Sequence, residues 1–137
     1  MNPAPLILIV DDDPDFLDIN RRVLEPAGYR VLGCTDPAEA WEHLQREKPD
    51  LVLTDLMMSR LDSGFSLARQ IKEDPRFANV PVIIATAVTS QAGLDFRPRS
   101  PADLAAMHAD AYFDKPVPPR ELLSKIAELL SRSPSTR

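Results

Sequence analysis

Five short apolar runs, separated by longer amphipathic stretches, organise this chain. The runs are LILIV (6–10), YRVLGC (29–34), LVLT (51–54), VIIAT (82–86) and AYF (111–113). Most of them are rich in β-branched residues and are apolar throughout, without the alternation of a half-exposed strand. This pattern is typical of strands buried on both faces of a parallel sheet.

Helical patterns lie between these runs. Asp13 before Pro14 is typical of an N-cap followed by proline at the first helical position. Asp36 begins a second helix, with Glu39 placed to reach back as in a capping box. Apolar residues recur at helical spacing in four helices: Phe16, Ile19 and Val23; Ala40, Trp41 and Leu44; Phe65, Ala68 and Ile71; and Leu122, Ile126, Leu129 and Leu130.

The alternation of strands and helices predicts an α/β fold with a parallel sheet and helices on both faces. Right-handed crossovers then give a doubly wound open sheet. The interval after Thr86 shows no clear period, although residues 100–103 can cap a short helix that ends near Met107.

Composition narrows the class of protein. A chain of 137 residues with 44% hydrophobic residues suits one globular domain. The net charge of −5 disfavours nucleic acid or an anionic membrane as the direct partner. The single cysteine, Cys34, cannot form an internal disulfide and suits a cytoplasmic location. We expect no signal peptide, because the N-terminal apolar run is short and is followed by acids.

Polar residues close four of the apolar runs. Asp11 and Asp12 follow the first run, Asp55 the third, Thr86 ends the fourth, and Lys115 follows the fifth. Since the carboxyl ends of parallel strands meet at one edge of a sheet, where ligands bind, these groups should converge. Each residue alone has an ordinary alternative, such as a solvated turn or a surface lysine, and only the set indicates a site.

Such a set suits phosphoryl transfer to an aspartate. Clustered carboxylates suit Mg²⁺, which prefers oxygen ligands and offsets their repulsion. A threonine hydroxyl and a lysine ammonium suit an anion. Together they would stabilise charge on a transferring phosphoryl group. Asp13, by contrast, is explained by its N-cap role.

The motifs ILIVDD, LVLTDLMM, IIATA and YFDKP, in this order, resemble the receiver domains of two-component response regulators, the fold of the bacterial chemotaxis regulator. The resemblance covers roughly residues 5–131. It implies a flavodoxin-like five-stranded sheet of order 2-1-3-4-5. The segment from Thr86 to Tyr112 is several residues longer than in the chemotaxis regulator, so we expect the fourth helix to be short or displaced. We expect one receiver domain over residues 1–131 and a polar tail over 132–137.

The resemblance also implies roles for individual residues. Asp55 would be the phosphoacceptor, and Lys115 would pair with the phosphoryl group and precede a cis-proline, Pro116. The Mg²⁺ ligands would be Asp11 through water, Asp12, Asp55 and the Met57 backbone carbonyl. Thr86 and Ala87 would contact the phosphate, and Thr86 and Tyr112 would be the switch pair.

The function implied is a stand-alone response regulator without an output domain. It would accept a phosphoryl group from a sensor histidine kinase or a phosphotransfer protein and bind a downstream protein through its last helices. It would catalyse only its own phosphorylation and dephosphorylation, and contact no nucleic acid or membrane directly. Two alternatives stay open: a phosphorylation-independent scaffold, and a phosphatase of the haloacid dehalogenase type, which leaves Asp55 unexplained.

Overall fold

Five parallel strands form one sheet in the computed structural model, which describes residues 4–55, 63–86, 102 and 108–132. The strands are β1 (Leu6–Val10), β2 (Arg30–Cys34), β3 (Leu51–Thr54), β4 (Val82–Thr86) and β5 (Ala111–Asp114). Their order is β2-β1-β3-β4-β5, with every neighbouring pair parallel, which confirms the predicted sheet. The helices in these ranges are α1 (Pro14–Leu24), α2 (Pro37–Arg46), α3 (Ser63–Glu73) and α4 (Pro119–Arg132).

The strands are apolar throughout because successive residues enter two different cores. Ile7 and Ile9 of β1 pack into a cluster with residues of α1 and α4. Leu8 and Val10 pack on the opposite face, with residues of α2 and α3. All four are at most 1% exposed. Each such aliphatic side chain stabilises the fold by about 1.5–3 kcal/mol, so a charge on either face of β1 would be strongly destabilising.

The first two helices begin where the sequence predicts. Asp13 has extended backbone angles and its side chain accepts a hydrogen bond from the Asp15 N–H, with Pro14 at the first helical position. At α2 the Asp36 carboxylate accepts from the Glu39 N–H at 3.0 Å. The Glu39 carboxylate reaches back to the N–H of Thr35, one residue before the cap. The contacts of Asp13 and Asp36 satisfy backbone donors that the first helical turn leaves unpaired.

The buried face of α1 departs from the spacing of its apolar residues at one position. Ile19 is 57% exposed, whereas its neighbour Asn20 is only 4% exposed. The inward stripe of α1 runs through Phe16, Asn20 and Leu24, each one helical turn from the next. Asn20 is tolerated in this stripe because its side-chain amide donates to the backbone carbonyl of Phe16 at 2.8 Å.

The prediction of a short or displaced helix between β4 and β5, capped by residues 100–103, lies outside the described residues, as do Met57 and Ala87. Within the described ranges, every helix is too short or too polar to cross a bilayer.

Candidate functional site

Hydrogen bonds of the sheet ladder continue one residue beyond the strands and hold the site residues in place. Asp11, Asp55 and Lys115 each donate a backbone N–H to the neighbouring strand. The acceptors are the carbonyls of Cys34, at 3.0 Å, Val10, at 3.0 Å, and Thr86, at 2.9 Å. Because the sheet fixes these three backbones, their side chains leave one edge from defined positions.

Three carboxylates meet at this edge. Asp11, Asp12 and Asp55 each offer an oxygen, and these oxygens all lie within 4.8 Å of one another. Asp11 is fully buried and Asp55 is 7% exposed, whereas Asp12 faces solvent. The structure thus brings together the acids that the sequence predicted at the ends of β1 and β3.

Among the residues that the structure describes, Lys115 brings a positive charge into the pocket. Its ammonium donates to Asp11 Oδ2 at 2.6 Å and to Asp55 Oδ2 at 3.1 Å. Burial alone would lower the pKa of Lys115, but the hydrogen bond to Asp11 and the charges of both aspartates raise it overall. The lysine therefore stays protonated. The peptide bond between Lys115 and Pro116 is cis, as the resemblance implies.

Both carboxylate oxygens of Asp11 accept hydrogen bonds. Its Oδ1 accepts the Asp13 N–H at 2.9 Å, while its Oδ2 accepts from Lys115. Burial raises its pKa to about 6, even though these hydrogen bonds oppose the shift. Of the described groups in this pocket, three are acids and one is a lysine, so together they carry a net negative charge when ionised. Hard carboxylate oxygens of this number and spacing fit a divalent cation such as Mg²⁺.

Thr86 and Tyr112 lie on adjacent strands. Thr86 ends β4 and is 1% exposed. Tyr112 of β5 pairs with Ile84, two residues before Thr86, so the side chains of Tyr112 and Thr86 share one face of the sheet. The Tyr112 hydroxyl is buried. Thr86 ends its strand at the same edge as the carboxylates.

Phe16 is a residue of the pocket that sequence reasoning missed. The Lys115 ammonium nitrogen lies 4.1 Å from the centroid of its ring. Helical spacing identifies Phe16 only as a core residue, and no sequence signal indicates its contact with an ammonium.

Comparison with known proteins gives one consistent family. The family model for the response regulator receiver domain matches residues 7–127. The transcriptional regulatory protein GltR of Pseudomonas aeruginosa is 35% identical over 135 residues, which are 96% of this chain and 51% of GltR. This chain spans about half the length of the curated relatives that it matches.

Solved structures agree with this result. A response regulator receiver domain protein from Methanospirillum hungatei is 28% identical with a TM-score of 0.80, covering 98% of this chain and 99% of that protein. The receiver domain of a histidine kinase from Syntrophus aciditrophicus is 32% identical with a TM-score of 0.77, covering 93% and 91%. With its sheet order, its acidic edge and these matches, the chain belongs to the response regulator receiver domain family.

Proposed function

We propose that residues 1–131 form a phosphorylation-operated switch that accepts a phosphoryl group on Asp55. The donor is a phosphohistidine of a sensor kinase or of a phosphotransfer protein. One observation carries this proposal: the Asp55 carboxylate shares a pocket with two further acids and lies 3.1 Å from the Lys115 ammonium. The protein changes its affinity for a downstream partner and turns over no other substrate.

Asp55 is the acid best placed to react. Asp11 is fully buried with both oxygens engaged, and Asp12 faces solvent on the loop after β1. Bound at these carboxylates, Mg²⁺ would neutralise charge on the phosphoryl oxygens. The Met57 carbonyl belongs to the proposed ligand set, with Asp11 contributing through water.

In the proposed reaction an Asp55 oxygen attacks phosphorus in line with the donor nitrogen. The bond from phosphorus to nitrogen breaks, and the histidine ring leaves with its electron pair. Lys115 exchanges its hydrogen bond with Asp55 for one with a phosphoryl oxygen, since an ammonium has several equivalent donors. The aspartates and Lys115 are placed by the sheet before reaction, so little reorganisation is needed.

The proposed conformational change follows from the negatively charged phosphoryl group on Asp55, at the edge of the sheet. The Thr86 hydroxyl and the backbone at Ala87 would donate to the phosphoryl oxygens. Tyr112 shares the sheet face of Thr86 and would repack when Thr86 moves. This would change the surface of the last helices, where we propose that the protein partner binds.

The proposal is tested by incubating the chain with acetyl phosphate and Mg²⁺ and measuring its intact mass. The native chain should gain one phosphoryl group, and Asp55→Asn should gain none. Asp18→Asn is the matched control, since it removes an exposed acid whose partner is Arg22. A native chain that gains no mass, or an Asp55→Asn chain that does, would contradict the proposal. The first result would favour the phosphorylation-independent scaffold.

A further inference from the structure

The ring of Phe16 contacts the ammonium that the proposed reaction depends on. We propose that Phe16 is a positioning residue, whose ring holds the Lys115 ammonium in the pocket without adding negative charge to it. This inference rests on the proposed function, because it assigns Phe16 a part in the phosphorylation of Asp55. It goes further by assigning a specific electrostatic role to an apolar side chain.

The geometry around the ammonium supports this role. Lys115 directs one N–H to Asp11 and another to Asp55, at 2.6 and 3.1 Å. An ammonium has three donors, and the ring centroid of Phe16 lies 4.1 Å from the nitrogen. The face of an aromatic ring carries partial negative charge and attracts cations within about 6 Å. Two carboxylates and a ring therefore surround the ammonium, and its side chain is only 17% exposed.

The backbone that carries Phe16 is tied to the same pocket. Phe16 lies in the first turn of α1, whose N-cap is Asp13. The N–H of Asp13 donates to Asp11 Oδ1 at 2.9 Å, while Asp11 Oδ2 accepts from Lys115. Asp11 thus orients both the helix that presents the ring and the lysine that contacts it. The ring is 9% exposed and packs in the core shared by α1 and α4, so it has little freedom to move away.

A neutral ring suits the exchange that Lys115 must make. In the proposed reaction the ammonium gives up a carboxylate oxygen and takes a phosphoryl oxygen. A further carboxylate in the place of Phe16 would compete with the phosphoryl group for the ammonium and add to the repulsion among the acids. A leucine would fill most of the volume but would offer no electrostatic attraction. The aromatic ring attracts the ammonium, and the N–H groups of the ammonium stay available for hydrogen bonds to oxygen atoms.

The first test measures the rate at which acetyl phosphate and Mg²⁺ phosphorylate a series of variants. Phe16→Leu should slow the reaction by about fivefold, the effect of an ordinary cation–π contact. Phe16→Tyr keeps the ring face and should restore most of the rate. Difluoro- and pentafluorophenylalanine at position 16 keep the shape of the ring but weaken its negative face, so the rate should fall stepwise with fluorination.

Phe77→Leu is the matched control. Phe77 is also a buried aromatic residue, 3% exposed, with a cation, Arg76, at 4.8 Å from its ring. It packs in the opposite core, with α2 and α3. This substitution should lower the stability of the fold by a similar amount and leave the phosphorylation rate unchanged.

The second test needs neither Mg²⁺ nor a phosphodonor. A double-mutant cycle of Phe16→Leu and Lys115→Gln, followed by urea unfolding, isolates the energy between the two side chains. The unfolding equilibrium constants should show a coupling of about fivefold, and a cycle of Phe77→Leu with Lys115→Gln should show none.

The outcomes separate the two proposals. A native chain that takes no phosphoryl group would refute both the proposed function and the positioning role. A native chain that is phosphorylated, with a rate that Phe16→Leu or fluorination leaves unchanged, would overturn the positioning role alone. Absent coupling in the metal-free cycle would also overturn it. A stepwise fall in rate together with coupling would support it.

Discussion

The ammonium nitrogen of Lys115 lies 2.6 Å from Oδ2 of Asp11, although 104 residues separate them along the chain. Asp11 is fully buried. Burying an unpaired carboxylate is costly, so this contact links the first strand to the loop after the last strand. The contact therefore supports the fold as well as the chemistry of the pocket.

Removing the lysine should expose this dual role. Loss of one partner of a buried ion pair costs about 3–5 kcal/mol. Since Lys115 is 17% exposed and Asp11 can escape by protonation, we expect Lys115→Met to lower the free energy of unfolding by about 2 kcal/mol. Urea unfolding at neutral pH without Mg²⁺ measures this.

The control is Lys125→Met, which removes a lysine from the surface pair with Glu128. Surface pairs contribute at most about 1 kcal/mol, so this variant should stay close to the native stability. Equal losses in the two variants would show that the contact between Lys115 and Asp11 has no special role in the fold.

Mg²⁺ should stabilise the chain, and by an amount that depends on pH. The pKa of Asp11 in the folded chain is raised from 3.8 to about 6. Without metal, Asp11 therefore binds a proton more tightly in the folded chain than in the unfolded chain. Protonation of Asp11 thus increases the free energy of unfolding as pH falls from about 6 towards 3.8. Mg²⁺ binds the ionised carboxylate, so the stability that Mg²⁺ adds should decrease as pH falls.

At ten times its dissociation constant, Mg²⁺ should raise the free energy of unfolding by about 1.4 kcal/mol at pH 7.5. The gain should shrink as pH falls through the pKa of Asp11. Thermal melts with and without Mg²⁺ at several pH values measure it. In Asp11→Asn the part of this pH dependence that comes from Asp11 should disappear. If Mg²⁺ stabilises the native chain by the same amount from pH 7.5 down to pH 5, the pH dependence does not come from Asp11.

Much of this fold could be predicted from the sequence, because its strands are apolar on both faces and its helices carry clear start signals. The run LILIV can hardly be half-exposed, and Asp13-Pro14 specifies where α1 begins. The convergence of Asp11, Asp55 and Lys115 follows from parallel strands ending at one edge. For these residues the local pattern and the global topology agree.

Other features could not be predicted, because they depend on which side of a helix faces which core. Ile19 is apolar yet exposed, and Asn20 is polar yet buried, since the rotation of α1 is set by packing and by the hydrogen bond of Asn20 to the Phe16 carbonyl. The contact of Phe16 with Lys115 joins distant parts of the chain. Periodicity alone contains no information about it.

Cys34 should be nearly unreactive in the folded protein. It is 2% exposed at the end of β2, and burial, followed by the negative charges of Glu39 and Asp36, raises the pKa of its thiol to about 12. Because the thiolate is the reactive form, alkylation by iodoacetamide at pH 8 should be slower by more than about a hundredfold than in urea. Mass spectrometry over time measures both rates, and comparable rates would mean that the thiol is accessible.

Asp110 should matter for stability but not for phosphorylation. Its Oδ2 accepts both the Val82 N–H and the Lys72 ammonium at 2.8 Å. These contacts lie at the first residue of β4 and just before β5, at the end of the sheet opposite Asp55. Asp110→Ala leaves the buried Val82 N–H without this acceptor and should lower the free energy of unfolding by about 2 kcal/mol.

Asp110→Asn retains an acceptor oxygen and should recover part of this loss. Glu42→Ala, which removes an exposed acid at 4.0 Å from Arg46, should change stability by less than about 0.5 kcal/mol. All three variants should gain one phosphoryl group from acetyl phosphate at the native rate. A slower rate in Asp110→Ala, under conditions where it is fully folded, would mean that the two ends of the sheet are coupled.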